Sequence, residues 1–363
     1  MKLSILLFVI LVVSAVFFIL PGDIQPLEYH PEKAPGFSGQ WQPDHSLASV
    51  KLLAENRIHG PEDVAMDTRG RVYGGQVDGK IIRVLSDGTI ETFADTGGRP
   101  LGLHFDRHQN LIVADALKGL LSVNPTGEVT LLTDSADGQA FGFTDDLDIA
   151  QDGTIYFSDA TTRWNVWNYK NDVLEMQPTG RLMTYDPATG QTRTLLDGLY
   201  FANGVALSSN EDFVLVNETW KYRIVRFWLK GPKAGTHDIF TDNLPGFPDG
   251  ISGNRQGQFW LALFSPRNPL LDSVHPYPWI KEQMSKLPEF LKPRPKKYGL
   301  IASLDESGRV TASYHDPQGT NVTGITSVEQ AGDQLLLGTL KENWIGRITL
   351  SELRKDHDKS DSN

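Results

Sequence analysis

No cysteine occurs among the 363 residues, which removes disulfides, thiolate nucleophiles and zinc–thiolate centres from consideration. A domain outside the cytoplasm would have to hold together without covalent cross-links. Positive charge is also scarce: 34 Lys and Arg stand against 45 Asp and Glu, for a formal net charge of −11. No Lys/Arg run interleaves with aromatic residues, so the footprint of a nucleic-acid partner is missing. The histidines form no close pair with metal-ligand spacing. Amphipathic helical periodicity is nearly absent before residue 265. What is present is the composition of a turn-rich globular chain, with 34 glycines, 21 prolines and 39% hydrophobic residues. Its length suits one large domain or two ordinary ones.

The one long apolar run, Leu3 to Leu20, follows Met1-Lys2 and ends at Pro21-Gly22-Asp23. At 1.5 Å per residue it would span about 27 Å, close to a bilayer core of about 30 Å. The expectation is an N-terminal transmembrane helix over residues 1–20. The rival is a cleaved signal peptide, whose apolar region is normally shorter and ends in a small-residue site not found here. Lys2 on the short side places the bulk of the chain outside the cytoplasm, in a bacterial periplasm or, in a eukaryote, the lumen or cell surface. Residues 21–45 read as a Pro-rich linker and 353–363 as a polar tail.

Between them, residues 46–352 carry short β-branched and aromatic runs separated by Gly, Asp and Asn turns, the pattern of a closed all-β architecture. Six segments align in one register: "PEDVAMD" (61–67), "PLGLHFD" (100–106), "TDDLDIA" (144–150), "ANGVALS" (202–208), "PDGISGN" (248–254) and "VTGITSV" (322–328). Six units of four strands predict a six-bladed β-propeller, since a β-sandwich leaves six matched copies without a place.

In a propeller the first strand of each blade lines the central channel. The variable position of the repeat then forms a ring of Glu62, Leu101, Asp145, Asn203, Asp249 and Thr323. Four of these are hard oxygen donors, and three carboxylates at one mouth call for a cation or for protons. Oxygen donors without thiolate or clustered imidazole suit Ca2+. Singly, each "NG" or "DG" reads better as a hairpin turn than as a ligand. It is the shared register that favours a metal ring.

The stretches "GPEDVAMD", "VADALKGLLSVNP", "DDLDIAQDGTIYFSDAT", "FANGVALSSNEDFVLVNET", "LPGFPDGI" and "YHDPQG" resemble the strictosidine synthase-like family, within the calcium propellers that include gluconolactonase/regucalcin and the paraoxonases. The resemblance runs from about residue 60 to 350. It implies calcium ligands at Glu62, Asn203 and Asp249, and an N-terminal membrane anchor. Where the family usually has Asn-Asp, this chain has Asp145-Asp146, so an amide is replaced by a carboxylate. The namesake's catalytic glutamate falls on Thr323, which argues against the condensing reaction. The paraoxonases' catalytic histidine falls on Leu101; His104 should point away from that position by strand alternation.

The implied activity is a calcium-dependent hydrolase of lactones or aryl and alkyl esters, with Asp249, or else Asp145, as base or nucleophile, and Leu101 and Thr323 in the substrate pocket. A non-catalytic, calcium-stabilised propeller that binds a ligand or protein is the alternative. The insertion at 162–180 is a candidate pocket wall, and that at 265–298 reads either as a lid over the mouth or as a cap on exposed blade edges. The second holds "PWIKEQMSKLPEFL", a short helix with Trp279, Ile280, Met284, Leu287 and Leu291 on one side. Asn217 and Asn321 sit in N-x-S/T acceptor patterns.

Overall fold

Alternating strands broken by tight turns pair with their nearest neighbours in sequence, and the computed structural model, which describes residues 20–360, shows the result. Among the described residues six four-stranded antiparallel sheets form the blades of a propeller. The innermost strands of blades 1 to 6 are Val64–Met66, Pro100–Phe105, Thr144–Ile149, Ala202–Leu207, Gly246–Gly253 and Ile325–Ala331. All six aligned segments fall on these strands. Blade 6 is completed by the early strand Lys51–Leu53, which pairs with Ile345–Thr349 so that Lys51 lies opposite Arg347. The ring is thereby closed by hydrogen bonds between the two ends of the propeller.

Neighbouring inner strands are tied by buried carboxylates. Asp63 accepts from the Leu103 amide at 2.9 Å, Asp146 from Val205 at 2.8 Å, and Asp148 from Leu207 at 2.8 Å. The glycines of "NG" and "DG" serve this close approach and are not turn residues: neither Gly204 nor Gly250 has a positive φ. A Cβ on Gly204 would lie 2.4 Å from the Ile251 nitrogen, and one on Gly250 2.6 Å from the Thr326 carbonyl.

The insertions fold over one mouth of the channel. Helix α1 (Lys170–Glu175) comes from the first; α2 (Pro269–Val274) and α3 (Pro278–Ser285) come from the second. Asn268 caps α2, accepting from the amides of Leu270 and Leu271, with Pro269 in the first turn. The helical expectation around 278–291 holds only to Ser285, because Pro288 cannot continue the hydrogen-bond ladder. Ile280 and Met284 pack inward, whereas Trp279 and Leu291 are each 57% exposed.

Residues 20–45 run against this lid instead of hanging free as a linker. The Leu27 amide donates to the Glu175 carbonyl at 2.8 Å, that of Gln25 to the Glu175 carboxylate at 2.6 Å, and that of Tyr29 to the His275 carbonyl at 3.1 Å. Lys281 of α3 is fully buried and donates to the Leu27 carbonyl; burial pulls its pKa down to about 8. At the other end, the stretch expected as a polar tail belongs to helix α4 (Leu350–Ser360). A capping box starts it: Thr349 Oγ1 accepts from the Glu352 amide, and Glu352 accepts from the Thr349 amide. Leu353 is fully buried and His357 reaches Asp44 at 2.6 Å.

Of the expected N-terminal transmembrane helix, residues 1–19 lie outside the described residues. Among the described residues no helix is long and apolar enough to cross a membrane.

Candidate functional site

The inner strands deliver all six ring residues, Glu62, Leu101, Asp145, Asn203, Asp249 and Thr323, to the wall of one cavity of about 490 Å³. The entrances of the inner strands of blades 2, 3 and 4 are each held in place by an acid at the end of the strand beside it. Asp159 accepts from the amides of Gly142 and Phe143 at 3.0 and 2.7 Å, and Asp115 from Arg99 at 2.9 Å. Glu218 accepts from the Tyr200 amide at 2.9 Å. Backbone positions at the mouth are therefore set before any ligand arrives.

Glu62, Asp145 and Asn203 are nearly inaccessible to solvent. Burial first, and then repulsion from Asp145 and Asp249, pushes Glu62 well above the usual carboxylate range. Asp145 is raised the same way, by burial and then by Asp249, with the buried Arg99 guanidinium partly compensating. Burial lifts Asp249 to about 7, offset in part by the Asn203 amide, whose nitrogen donates to Asp249 Oδ1 at 2.9 Å. The Asn203 Oδ1 atom is buried and has no hydrogen-bond partner. Asn217 donates to the Asp249 carbonyl and Thr219 to that of Pro248, so the stretch of strand that presents Asp249 is pinned from blade 4.

Among the described residues no group of three or more histidine and carboxylate side chains is gathered so as to hold a metal as it stands. The donor set nevertheless suits a hard cation. Three acids are raised, all by burial and Glu62 and Asp145 also by neighbouring carboxylates, and one amide oxygen that water or protein ought to satisfy is left orphaned. Glu62, Asp145, Asn203 and Asp249 are the residues that could hold it.

Leu101 contributes an apolar patch. Thr323 uses its hydroxyl as a structural acceptor for the Tyr298 amide at 2.9 Å. His104 stays out of the ring: its charged neighbours are Asp148 and Arg255, and burial lowers its pKa. The two N-x-S/T asparagines are engaged inside the fold. Asn217 is fully buried, and Asn321 donates to the carbonyls of Leu47 and Val50 at 3.0 Å each.

Sequence reasoning missed the cavity's aromatic wall. Phe143 and Phe201 meet edge to face at 5.5 Å between ring centres, Phe201 and Trp220 lie at 4.5 Å, and Trp220 meets Phe247 at 6.0 Å. Trp220 is fixed by its indole N–H, which donates to Asp172 at 2.8 Å. A signal existed: Phe143, Phe201 and Phe247 each stand two residues before an oxygen donor of the ring. Phe201 holds its place at φ 61°, a left-handed conformation that costs a bulky residue about 1–2 kcal/mol. From the insertions, Tyr169 and Val173 line one side of the cavity, and Met284 with residues 292–297 the other.

A model of the strictosidine synthase family matches residues 145–232, and one of the strictosidine synthase-like N-terminal region matches 39–84. The adipocyte plasma membrane-associated protein of Homo sapiens is 37% identical over 354 residues, which cover 91% of this chain and 84% of that protein. Among solved structures, a gluconolactonase from Xanthomonas campestris superposes with a TM-score of 0.61 at 16% identity, covering 91% of this chain and 96% of the other. Regucalcin from Agrobacterium tumefaciens, described as a calcium-binding protein, gives 0.56 at 13% identity, covering 82% and 90%. These two likenesses establish the shared propeller fold.

Proposed function

The chain belongs to the strictosidine synthase-like family, and from that premise we propose that it is a calcium-dependent hydrolase of lactones or of carboxylic aryl and alkyl esters. One observation carries the reading: four oxygen-bearing side chains, one with an orphaned buried oxygen, close the floor of an otherwise aromatic cavity large enough for a small ester. The gluconolactonase and regucalcin neighbours add a lactone-cleaving enzyme and a calcium binder of the same fold.

A calcium ion held by Glu62, Asp145, Asn203 and Asp249 would polarise the substrate carbonyl and offset the charge that develops on its oxygen. The protein's own groups do the rest. Asp249, whose Oδ1 is oriented by the Asn203 amide at 2.9 Å, serves as the general base. Its carboxylate takes a proton from water as the water oxygen bonds to the carbonyl carbon. The resulting carboxylic acid returns that proton to the departing alkoxide as the ester C–O bond breaks. Asp145 shares the site and is the second candidate for the base. The aromatic wall excludes water and orients the apolar part of the substrate. Thr323, standing at the namesake's catalytic position, supplies no carboxylate for its condensing reaction.

The human relative is named for plasma-membrane association. Held by an N-terminal segment, the propeller would work outside the cytoplasm. Hydrolysis of phenyl acetate and of δ-valerolactone, each with calcium and with a chelator, tests the proposal. Turnover lost with chelator and restored by calcium supports it. A folded, calcium-loaded protein without turnover on either substrate, whose stability alone responds to the metal, points instead to a ligand-binding propeller.

A further inference from the structure

The cavity is acidic at its floor and aromatic along its walls, and its rim carries the opposite charge. Residues 292–297, "KPRPKK", form part of the lining, with Lys341 facing in from the blade 6 side. Among the described residues none of Lys292, Arg294, Lys296, Lys297 and Lys341 forms an ion pair, although the chain as a whole carries −11. Lys170, also on the rim, is already matched by Glu289. Pro293 and Pro295 keep the basic stretch extended and without the backbone donors needed to fold it away. The Lys341 ammonium lies 5.7 Å from the ring centre of Phe264, itself a wall residue, so one cation stands where the apolar wall meets the opening.

Resting on the hydrolase reading above, we propose that the site takes an amphipathic, anion-ended substrate: an ester or lactone at the floor, an apolar body against the aromatic wall, and a carboxylate or comparable anion at the rim. Five unpaired cations on one opening raise the local concentration of anions and select their orientation. The rim cations retain that anionic end, so the carbonyl is the end that reaches the floor. Neutral esters of the same length would enter in either direction and lose the rim contact.

Two chain-matched substrates test this on the intact protein: 4-nitrophenyl octanoate and mono(4-nitrophenyl) octanedioate, which differ by a terminal methyl against a carboxylate. The expected result is a kcat/KM at least about tenfold higher for the octanedioate at low salt, carried by KM and shrinking as ionic strength rises. Replacing Lys292, Arg294, Lys296 and Lys297 together by Gln should bring the ratio toward one, and Lys341→Glu alone should lower it. Equal kcat/KM for the two esters in the unmodified protein overturns the proposal.

If neither ester is turned over, the hydrolase reading fails. The ligand class is then read from the heat of binding on titration with octanoate and with octanol. Tighter binding of octanoate by about tenfold preserves the anion-ended ligand class, and equal binding removes it. A third arm uses phosphatidylglycerol and phosphatidylcholine vesicles. If the fourfold Gln variant loses vesicle binding while the ester ratio stays put, the rim serves an anionic lipid surface and the proposal is overturned.

Discussion

Blades 3 to 5 and blades 2 and 6 bring equivalent backbone to the same cavity and use it for opposite ends. In blades 3, 4 and 5 a phenylalanine precedes an oxygen donor by two residues: Phe143 and Asp145, Phe201 and Asn203, Phe247 and Asp249. In blades 2 and 6 the corresponding pairs are Arg99 with Leu101 and Asn321 with Thr323. There the first member staples backbone, Arg99 to the Gly60 carbonyl at 2.8 Å and Asn321 to the chain at Leu47 and Val50. Thr323 does the same for Tyr298. Blades 3 to 5 thus carry both an aromatic and an oxygen donor, blade 1 adds the donor Glu62 alone, and blades 2 and 6 on either side of it secure the region where the propeller closes. A repeat fixes where a side chain points, and each blade remains free in what it puts there.

The contrast breaks most sharply at Asp249. Asp249→Asn should lower kcat/KM for an ester by about 10³-fold with the fold intact, as removal of a general base does. A loss no larger than threefold would level the two arcs. Next in size is the response to calcium. The ring carboxylates have folded-state pKa values above their unfolded ones, so without metal the native state holds protons more tightly. Stability then falls as pH rises from about 4 through the Asp249 value near 7, and the full penalty remains above it. Calcium should relieve that penalty, so the gain in Tm on adding it should be larger at pH 8 than at pH 5. A gain independent of pH would place the ion elsewhere.

Asp172 gives a smaller effect outside the ring. Burial raises it to about 7, and one of its oxygens has no partner. Asp172→Asn keeps an acceptor for Trp220 and removes the charge. By the same sign it should stabilise by about 1–3 kcal/mol at pH 8, with the gain gone by pH 4, as read from denaturant midpoints. The smallest effect belongs to the stapling blades: Thr323→Val loses the acceptor for the Tyr298 amide, costing about 1 kcal/mol of stability and less than threefold in activity.

Much of the propeller could be read before it was seen, because inner strands repeat their apolar alternation and their close-approach glycines. The ring followed from that register alone. The aromatic wall was written two residues upstream, but Phe143, Phe201 and Phe247 read as ordinary strand residues until the strands are placed side by side. The capping box at Thr349 and Glu352 was equally legible and was hidden by the polar residues on its C-terminal side. Residues 20–45 left no such trace. Residues 25–29 are held mainly by backbone groups meeting Glu175, His275 and Lys281, and main-chain contacts between segments some 150–260 residues apart impose no period on a sequence. The basic stretch at 292–297 was visible as letters, and only the fold shows that it borders the cavity.

The closure of the ring also sets an order of events during synthesis. Lys51 pairs with Arg347, so one of the earliest strands to leave the ribosome must wait for one of the last. At roughly 5–20 residues per second the intervening 347 − 51 = 296 residues take on the order of 15–60 s. During that interval the outer strand of blade 6, Lys51–Leu53, has no partner and the nascent chain carries an unpaired edge. Five blades can assemble as they emerge. The circle closes only after the strand Ile345–Thr349 has emerged, and the growing chain needs protection at that edge until then.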